Sequence, residues 1–137
     1  MRVTFDGALG HGVTPKDMIL HLIGRVGAQA GTGCAVEYAG EAIRALPVEG
    51  RLTVCNMSIE GGARVGYMNP DQTTIDYLRG RPRAPSGQAF DRAAAHWLSF
   101  ASDADALFDD EVQMQAVDIE PVVTWGINPG QSVGVSD

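Results

Sequence analysis

The chain has few cysteines, few basic residues and no long apolar run, and each shortage argues against a class of protein. Its two cysteines, Cys34 and Cys55, are too few for a disulfide framework, which favours a reducing cytoplasm as the location. Two cysteines without a nearby histidine pair also cannot form a zinc or iron–sulfur site by themselves. No apolar run approaches the roughly 20 residues that span a bilayer, and the N-terminus lacks the apolar stretch of a secretory signal. We therefore expect neither a membrane protein nor a secreted one.

Positive charge is scarce as well. The formal net charge is −7, and residues 103–120 hold seven acidic residues and no Lys or Arg, while the other ten acids balance the ten bases. This balance lacks the basic surface that nucleic-acid binding needs. The acidic segment also lacks the ligand spacing and central glycine of a calcium loop. We expect a solvated acidic edge and no nucleic-acid partner.

The order of the predicted elements indicates the fold class. With 137 residues the chain is long enough for one domain with a buried core. Strands are predicted over 2–6, 34–39 and 64–68, and helical segments lie between them. This interleaving predicts a single α/β domain over residues 1–137, with a mainly parallel sheet. The strands predicted later, over 111–116 and 121–125, follow a pair of helices and are expected to form a separate β edge.

Two segments predict helix starts by the same logic. Thr14-Pro15-Lys16-Asp17 offers a capping hydroxyl, proline at the first helical position and an acid at the third, and Gly27 is the expected C-cap. Asn69-Pro70-Asp71-Gln72 repeats this pattern with Asn69 as the cap. The glycine-rich Gly31-Thr32-Gly33 joins a helix to a strand, so it is interpreted as a tight turn with close packing rather than a phosphate loop.

The segment Cys55–Glu60 attracts most attention. We predict one helix over 48–60, and in such a helix Asn56 and Glu60 project from the same face one turn apart. An amide and a carboxylate beside a core stripe could be active-site groups or a partly buried, satisfied polar pair. The spacing alone favours the second interpretation. The adjoining apolar stripe would consist of Leu52, Cys55 and Ile59.

The histidines offer no clearer site. His11, His21 and His96 show no metal-ligand spacing, and no catalytic triad can be built from sequence order. The two tryptophans, Trp97 and Trp125, are interpreted as core or interface aromatics.

Several segments together resemble the aconitase family, and within it the isopropylmalate dehydratase branch. The resemblance runs through nearly the whole chain. It is carried by Val13-Thr14-Pro15-Lys16-Asp17, Gly31-Thr32-Gly33, Val36-Glu37-Tyr38, Gly40-Glu41-Ala42-Ile43-Arg44, Glu49-Gly50-Arg51, Cys55-Asn56-Met57, Ile59-Glu60, Asp71-Gln72-Thr73-Thr74, Gly80-Arg81-Pro82 and Val123-Thr124-Trp125-Gly126.

The resemblance implies a fold, a reaction and two site residues. The fold would be a three-layer α/β/α domain, the second of three that enclose a [4Fe-4S] cluster. The reaction would be the isomerisation of 2-isopropylmalate, a small hydroxy-acid, to 3-isopropylmalate by dehydration and rehydration in leucine biosynthesis. Glu60 would either act as an acid or base or tune the acid–base environment through a histidine of another domain, and Asn56 would have a hydrogen-bonding role on the active-site wall. Homoaconitase, aconitase, a methylmalate-type enzyme and a non-catalytic binding domain remain alternatives.

The chain also departs from the family pattern. The family's three cluster cysteines, its catalytic histidines and its serine base match no segment here, and Cys55 matches a cysteine that is not a cluster ligand. The resemblance therefore implies an internal domain of a longer large subunit. Its partners would be the missing domains and the small, swivelling subunit. Alone, this chain is expected to hold no cluster, to be inactive and to expose the face that carries Asn56 and Glu60.

Overall fold

The chain is arranged as two compact units. The computed structural model describes all residues from Met1 to Asp137. The first unit combines Met1–Met68 with Phe108–Asp137, and the second is Asn69–Leu107. No helix in the structure has both the length and the apolar character needed to cross a membrane. Whether residues 1–137 form one domain of a longer polypeptide remains a prediction.

A four-stranded sheet forms the centre of the first unit. Its strands are β1 (Arg2–Asp6), β2 (Ala35–Ala39), β3 (Val65–Met68) and β4 (Glu111–Gln115), in the order β3-β2-β1-β4. Every pairing in this sheet is parallel. The predicted α/β class and mainly parallel sheet are confirmed, and the arrangement is consistent with the α/β/α class that the resemblance implies.

Three helices pack on the sheet within the first unit. They are α1 (Pro15–Val26), α2 (Glu41–Ala45) and α3 (Val48–Met57). The connections from β1 to β2 and from β2 to β3 step in one direction, and right-handed crossovers of this kind place their helices on one face of a sheet. The core between these layers contains Val3, Phe5, Met18, Ile19, Ile23, Val36, Tyr38, Val54 and Met114.

The start of α1 has the predicted capping box. The Asp17 carboxylate accepts hydrogen bonds from the Thr14 backbone N–H at 2.7 Å and the Thr14 hydroxyl at 2.6 Å. Its other oxygen accepts from the backbone N–H of Val122 at 2.8 Å. At the other end, the N–H of Gly27 donates to the carbonyl of Ile23, as expected for a C-cap. Asp17 therefore fixes the helix start and also holds a segment far away in the sequence.

Glycine permits two close approaches in the first unit. A Cβ on Gly31 would lie 2.9 Å from the Cβ of Ala63, which supports the close-packing interpretation of the Gly31-Thr32-Gly33 turn. Gly40 has a φ of +103°, and a Cβ there would overlap the carbonyl of Phe5. Both positions require a residue without a side chain.

The C-terminal strands differ from the prediction. We expected the strands after residue 110 to form a separate edge, yet β4 pairs with β1 in the main sheet. Only β5 (Val122–Thr124) and β6 (Ser132–Gly134) form a separate, antiparallel pair. The alternation in β4 arises because Met114 is buried while Glu111, Gln113 and Gln115 are exposed, as on an edge strand.

The second unit contains α4 (Gln72–Leu78) and α5 (Gly87–Leu98). The predicted cap of α4 is wrong by two residues, because the Asp71 carboxylate accepts from the N–H of Thr74 at 3.2 Å. The side chain of Asn69 instead accepts a hydrogen bond from the N–H of Ser102 at 2.9 Å. The apolar sides of the helices include Ile75, Phe90 and Trp97, and the last two meet edge-to-face with centroids 5.8 Å apart.

Candidate functional site

The continuous helix predicted over 48–60 is not observed. α3 ends at Met57, and Ser58–Gly61 forms a 3₁₀ turn that carries Glu60. The Ser58 hydroxyl donates to the carbonyl of Val54 at 3.1 Å, a back-bond that is typical where helices bend or end. Gly62 then adopts a left-handed conformation, with a φ of +84°, and closes the turn.

The turn is held from the core side by a buried hydrogen bond. The oxygens of Tyr38 and Ser58 lie 2.8 Å apart. Because the Ser58 proton is directed to Val54, the Tyr38 hydroxyl is the donor of this bond. Burial raises the pKa of Tyr38. The segment before Glu60 is therefore fixed by side-chain hydrogen bonds inside the core.

Asn56 and Glu60 are both exposed, one at the end of α3 and the other in the 3₁₀ turn. The expected core stripe beside them is wrong. Leu52 is 51% exposed and Ile59 is 72% exposed. α3 instead turns Arg51 and Val54 toward the core, so these apolar residues form a solvent-facing rim.

Glu60 lies at an open groove of about 450 Å³ within the first unit. Lys16 and Leu20 of α1 contribute to the lining, together with Met57, Thr124 and the loop 126–129. Asn56 is not among the lining residues. The groove thus combines one carboxylate, one ammonium group and an apolar surface, and it can accept a small polar molecule or a segment of another chain.

Lys16 lines this groove, and no motif in the sequence predicts that position for it. A cation in the first turn of a helix is unfavourable for the helix dipole. Lys16 occupies that position in α1 and forms no ion pair in this structure. A basic residue at an unfavourable helix position, next to an otherwise ideal cap, is the signal that could have indicated it.

The other candidates give no second site. His11 and His96 are exposed, and burial lowers the pKa of the half-buried His21, an effect that nearby Asp118 opposes. No group of three or more His, Cys, Asp or Glu side chains is placed to hold a metal ion. Six of the seven acids in residues 103–120 are exposed, as expected for a solvated edge; the half-buried Glu120 accepts hydrogen bonds from Ser136.

A [4Fe-4S] cluster does not fit the residues of this chain. Such clusters are held by cysteine thiolates, and only Cys34 and Cys55 are present. Burial raises the pKa of the Cys55 thiol, which disfavours the thiolate that a metal requires.

The structure thus has an α/β fold with an exposed carboxylate, Glu60, in the turn after α3. Comparison with known proteins shows which family has this sequence. The chain belongs to the aconitase family (aconitate hydratase), whose profile matches residues 1–137.

Among curated proteins, the chain is similar to 3-isopropylmalate dehydratase large subunits. It is 59% identical over 136 residues to the one from Synechococcus sp. (strain RCC307), covering 99% of this chain and 29% of that protein. It is 58% identical over 135 residues to large subunit 1 of Bradyrhizobium diazoefficiens, covering 98% and 28% of the two chains. For the Salinibacter ruber protein the identity is 54% over 136 residues, with 99% and 29% covered. The chain thus spans under a third of the length of these relatives.

Proposed function

We propose that this chain acts as one domain of the large subunit of an isopropylmalate dehydratase, a hydro-lyase that interconverts 2-isopropylmalate and 3-isopropylmalate. The observation that carries the proposal is the match of nearly the whole chain, at 54–59% identity, to proteins with that name. The small hydroxy-acid substrate and a role in leucine biosynthesis follow from the same proposal. Cytoplasmic location is part of it as well, since the two cysteines form no disulfide.

Within this proposal, Glu60 and Asn56 belong to one wall of an active site that is completed by other parts of the enzyme. Glu60 suits an acid–base role because its carboxylate is exposed at a groove and its turn is fixed by the Ser58 hydrogen bonds. A fixed backbone turn reduces the entropy that is lost when its side chain meets a substrate or a partner group. Asn56 can donate or accept a hydrogen bond from the adjoining end of α3.

The remaining parts of the site are proposed to come from the rest of the large subunit and from a small subunit. The name of the relatives, large subunit, implies such a partner. A [4Fe-4S] cluster would be held by cysteines outside this chain. The solvent-facing rim of Leu52 and Ile59 beside the two polar residues supports a contact with such a neighbour, because exposed apolar patches often mark interaction surfaces.

The test uses the full-length large subunit reconstituted with its small subunit. Glu60→Gln keeps the size of the side chain but removes its charge and proton-transfer capacity. We expect kcat for isopropylmalate interconversion to fall at least about a hundredfold, the usual contribution of general acid–base catalysis. Glu49→Gln is the matched control and should leave the rate unchanged, because Glu49, at the start of α3, is exposed like Glu60 but does not line the groove.

Three results would each contradict a part of the proposal. Equal rates for Glu60→Gln and wild type would remove Glu60 from the active site while leaving the reaction assignment intact. Turnover of homoaconitate, citrate or a methylmalate, with none of isopropylmalate, would reassign the substrate within the family. Absence of turnover with every one of these acids would favour a binding domain.

A further inference from the structure

The second unit contains a groove that the dehydratase proposal does not use. It has a volume of about 730 Å³ and is lined entirely by residues of the loop after α4 and the start of α5. Arg79 and Arg81 contribute its charged groups, and Ser86 and Phe90 also line it. No acidic side chain lines it.

The positive charge at this groove is concentrated against the trend of the whole chain. The protein carries a formal charge of −7, yet three of its ten bases fall within residues 79–83. No acid occurs between Asp76 and Asp91. The loop that lines the groove therefore carries a local positive charge, opposite in sign to the net charge of the chain, which favours anions.

Both guanidinium groups are positioned by contacts with aromatic rings. The Arg79 guanidinium carbon lies 4.5 Å from the centroid of Phe90, and that of Arg81 lies 3.9 Å from the centroid of Tyr77. The Nε of Arg81 also donates to the carbonyl of Tyr77 at 3.1 Å. These contacts orient the side chains while leaving the outer N–H groups available.

Neither guanidinium is neutralised by a carboxylate. The ion pair between Arg2 and Glu37 involves neither Arg79 nor Arg81. The hydroxyl of Ser86, which also lines the groove, makes no capping hydrogen bond to α5. Two oriented, unpaired guanidinium groups and a free hydroxyl form a donor set suited to an oxyanion.

We propose that this groove binds a small oxyanion, a phosphoryl or carboxylate group, through Arg79, Arg81 and the Ser86 hydroxyl. The planar guanidinium groups supply paired N–H donors, which match the spacing of oxygens in phosphate and carboxylate. The site is independent of Glu60 and of the reaction assigned above.

The test titrates inorganic phosphate and, separately, malonate into the 137-residue chain at constant ionic strength. Binding is followed by the backbone amide NMR signals of Gly80 and Gly87, which both line the groove. We expect saturable shifts of these signals. Tighter binding of phosphate would identify a phosphoryl ligand, and tighter binding of malonate would identify a carboxylate ligand.

The variants separate a built site from a general effect of charge. Arg81→Gln should weaken binding about tenfold, since it removes charge-assisted hydrogen bonds. Arg83→Gln removes the same charge from the same loop, but Arg83 does not line the groove, so affinity should change less than twofold. Arg81→Lys keeps the charge and should still weaken binding, with the other NMR signals unchanged. Shifts that do not saturate with either anion, or equal losses in Arg81→Gln and Arg83→Gln, would overturn the proposal.

Discussion

The buried guanidinium of Arg51 offers a test of how the helical layer beside Glu60 is held. Arg51 is only 6% exposed, and its Nε donates to the carbonyl of Leu46 at 3.1 Å. One terminal nitrogen donates to the carbonyl of Arg44 at 2.9 Å. These carbonyls belong to the last turn of α2 and to the residue after it, where no helical N–H is available to them. Arg51 in α3 therefore caps α2.

Replacing Arg51 by Met keeps most of the side-chain volume and removes both hydrogen bonds. A hydrogen bond from a charged group contributes about 1.5–3 kcal/mol, and relief from burying the charge offsets part of the loss. We expect the free energy of unfolding to fall by about 2–4 kcal/mol. Arg44→Met is the matched control, because the Arg44 side chain is exposed and only its carbonyl takes part, so its cost should stay within about 0.5 kcal/mol.

Urea unfolding followed by far-UV circular dichroism measures the difference, but the chain has two compact units that can unfold separately. The rate of thiol modification of Cys55, in a Cys34→Ser background, reports on α3 alone. Unfolding free energies within about 0.5 kcal/mol for Arg51→Met and Arg44→Met would refute the capping argument. An intermediate loss in Arg51→Lys, which keeps a charge but not the forked donor, would support it.

Three further predictions concern the first unit. Burial acts to raise the pKa of Asp17, but hydrogen bonds from Thr14 and Val122 outweigh this effect and lower the pKa below its ordinary value of 3.8. The ionised carboxylate therefore stabilises the folded state at pH values above the ordinary pKa. This stabilisation is lost as the pH falls through the lowered pKa of the folded state. Asp17→Ala should cost about 1–2 kcal/mol at neutral pH, and its deficit in urea unfolding should shrink below about pH 4; a pH-independent deficit would contradict this. Gly40→Ala should prevent folding, as judged by expression and circular dichroism. Gly33 also has a positive φ, but a Cβ added there would have no atom within 4 Å, so Gly33→Ala should lower the free energy of unfolding by only about 1–2 kcal/mol. Equal losses in Gly40→Ala and Gly33→Ala would show that the close contact with Phe5 is unimportant. Tyr38→Phe should lower the unfolding free energy by about 1 kcal/mol in the same urea assay, and no loss would argue against its buried hydrogen bond.

The elements that local chemistry determines could be predicted from the sequence. Thr14, Pro15 and Asp17 define the start of α1 within four residues of chain, and the structure has the same capping box. The strand over 2–6 also appears as predicted. The capping contacts of α1 come from residues near in sequence, and the alternation of buried and less buried residues in β1 can be read from the sequence, although its partners β2 and β4 lie far away.

Predictions failed where a distant partner decides the outcome. Asn69 is a residue type that often caps helices, but its side chain accepts a hydrogen bond from the backbone N–H of Ser102, and Asp71 caps α4 instead. The helix over 48–60 was predicted too long because Ser58 bonds back to Val54 and forward to Tyr38 of β2. The strand β6 was missed, since its short polar sequence gains strand structure only by pairing with β5.

The candidate site was predicted only in part. The spacing singled out Asn56 and Glu60, the resemblance alone assigned them an active-site role, and both are exposed. The groove beside Glu60 depends on Lys16 and on the loop 126–129, which lie far from Glu60 in the sequence. Periodicity cannot indicate such a neighbourhood, because it describes one element at a time.

The pairing of β4 with β1 has a consequence for the synthesis of the protein. β1 comes from the start of the chain and β4 from near its end, with the whole second unit between them. During translation, β1 to β3 leave the ribosome first, and the side of β1 that β4 later covers presents unpaired backbone groups. That open edge can pair with another nascent chain until β4 arrives. Slowing translation between Met68 and Glu111 should therefore increase aggregation, and early binding of a chaperone to β1 should reduce it.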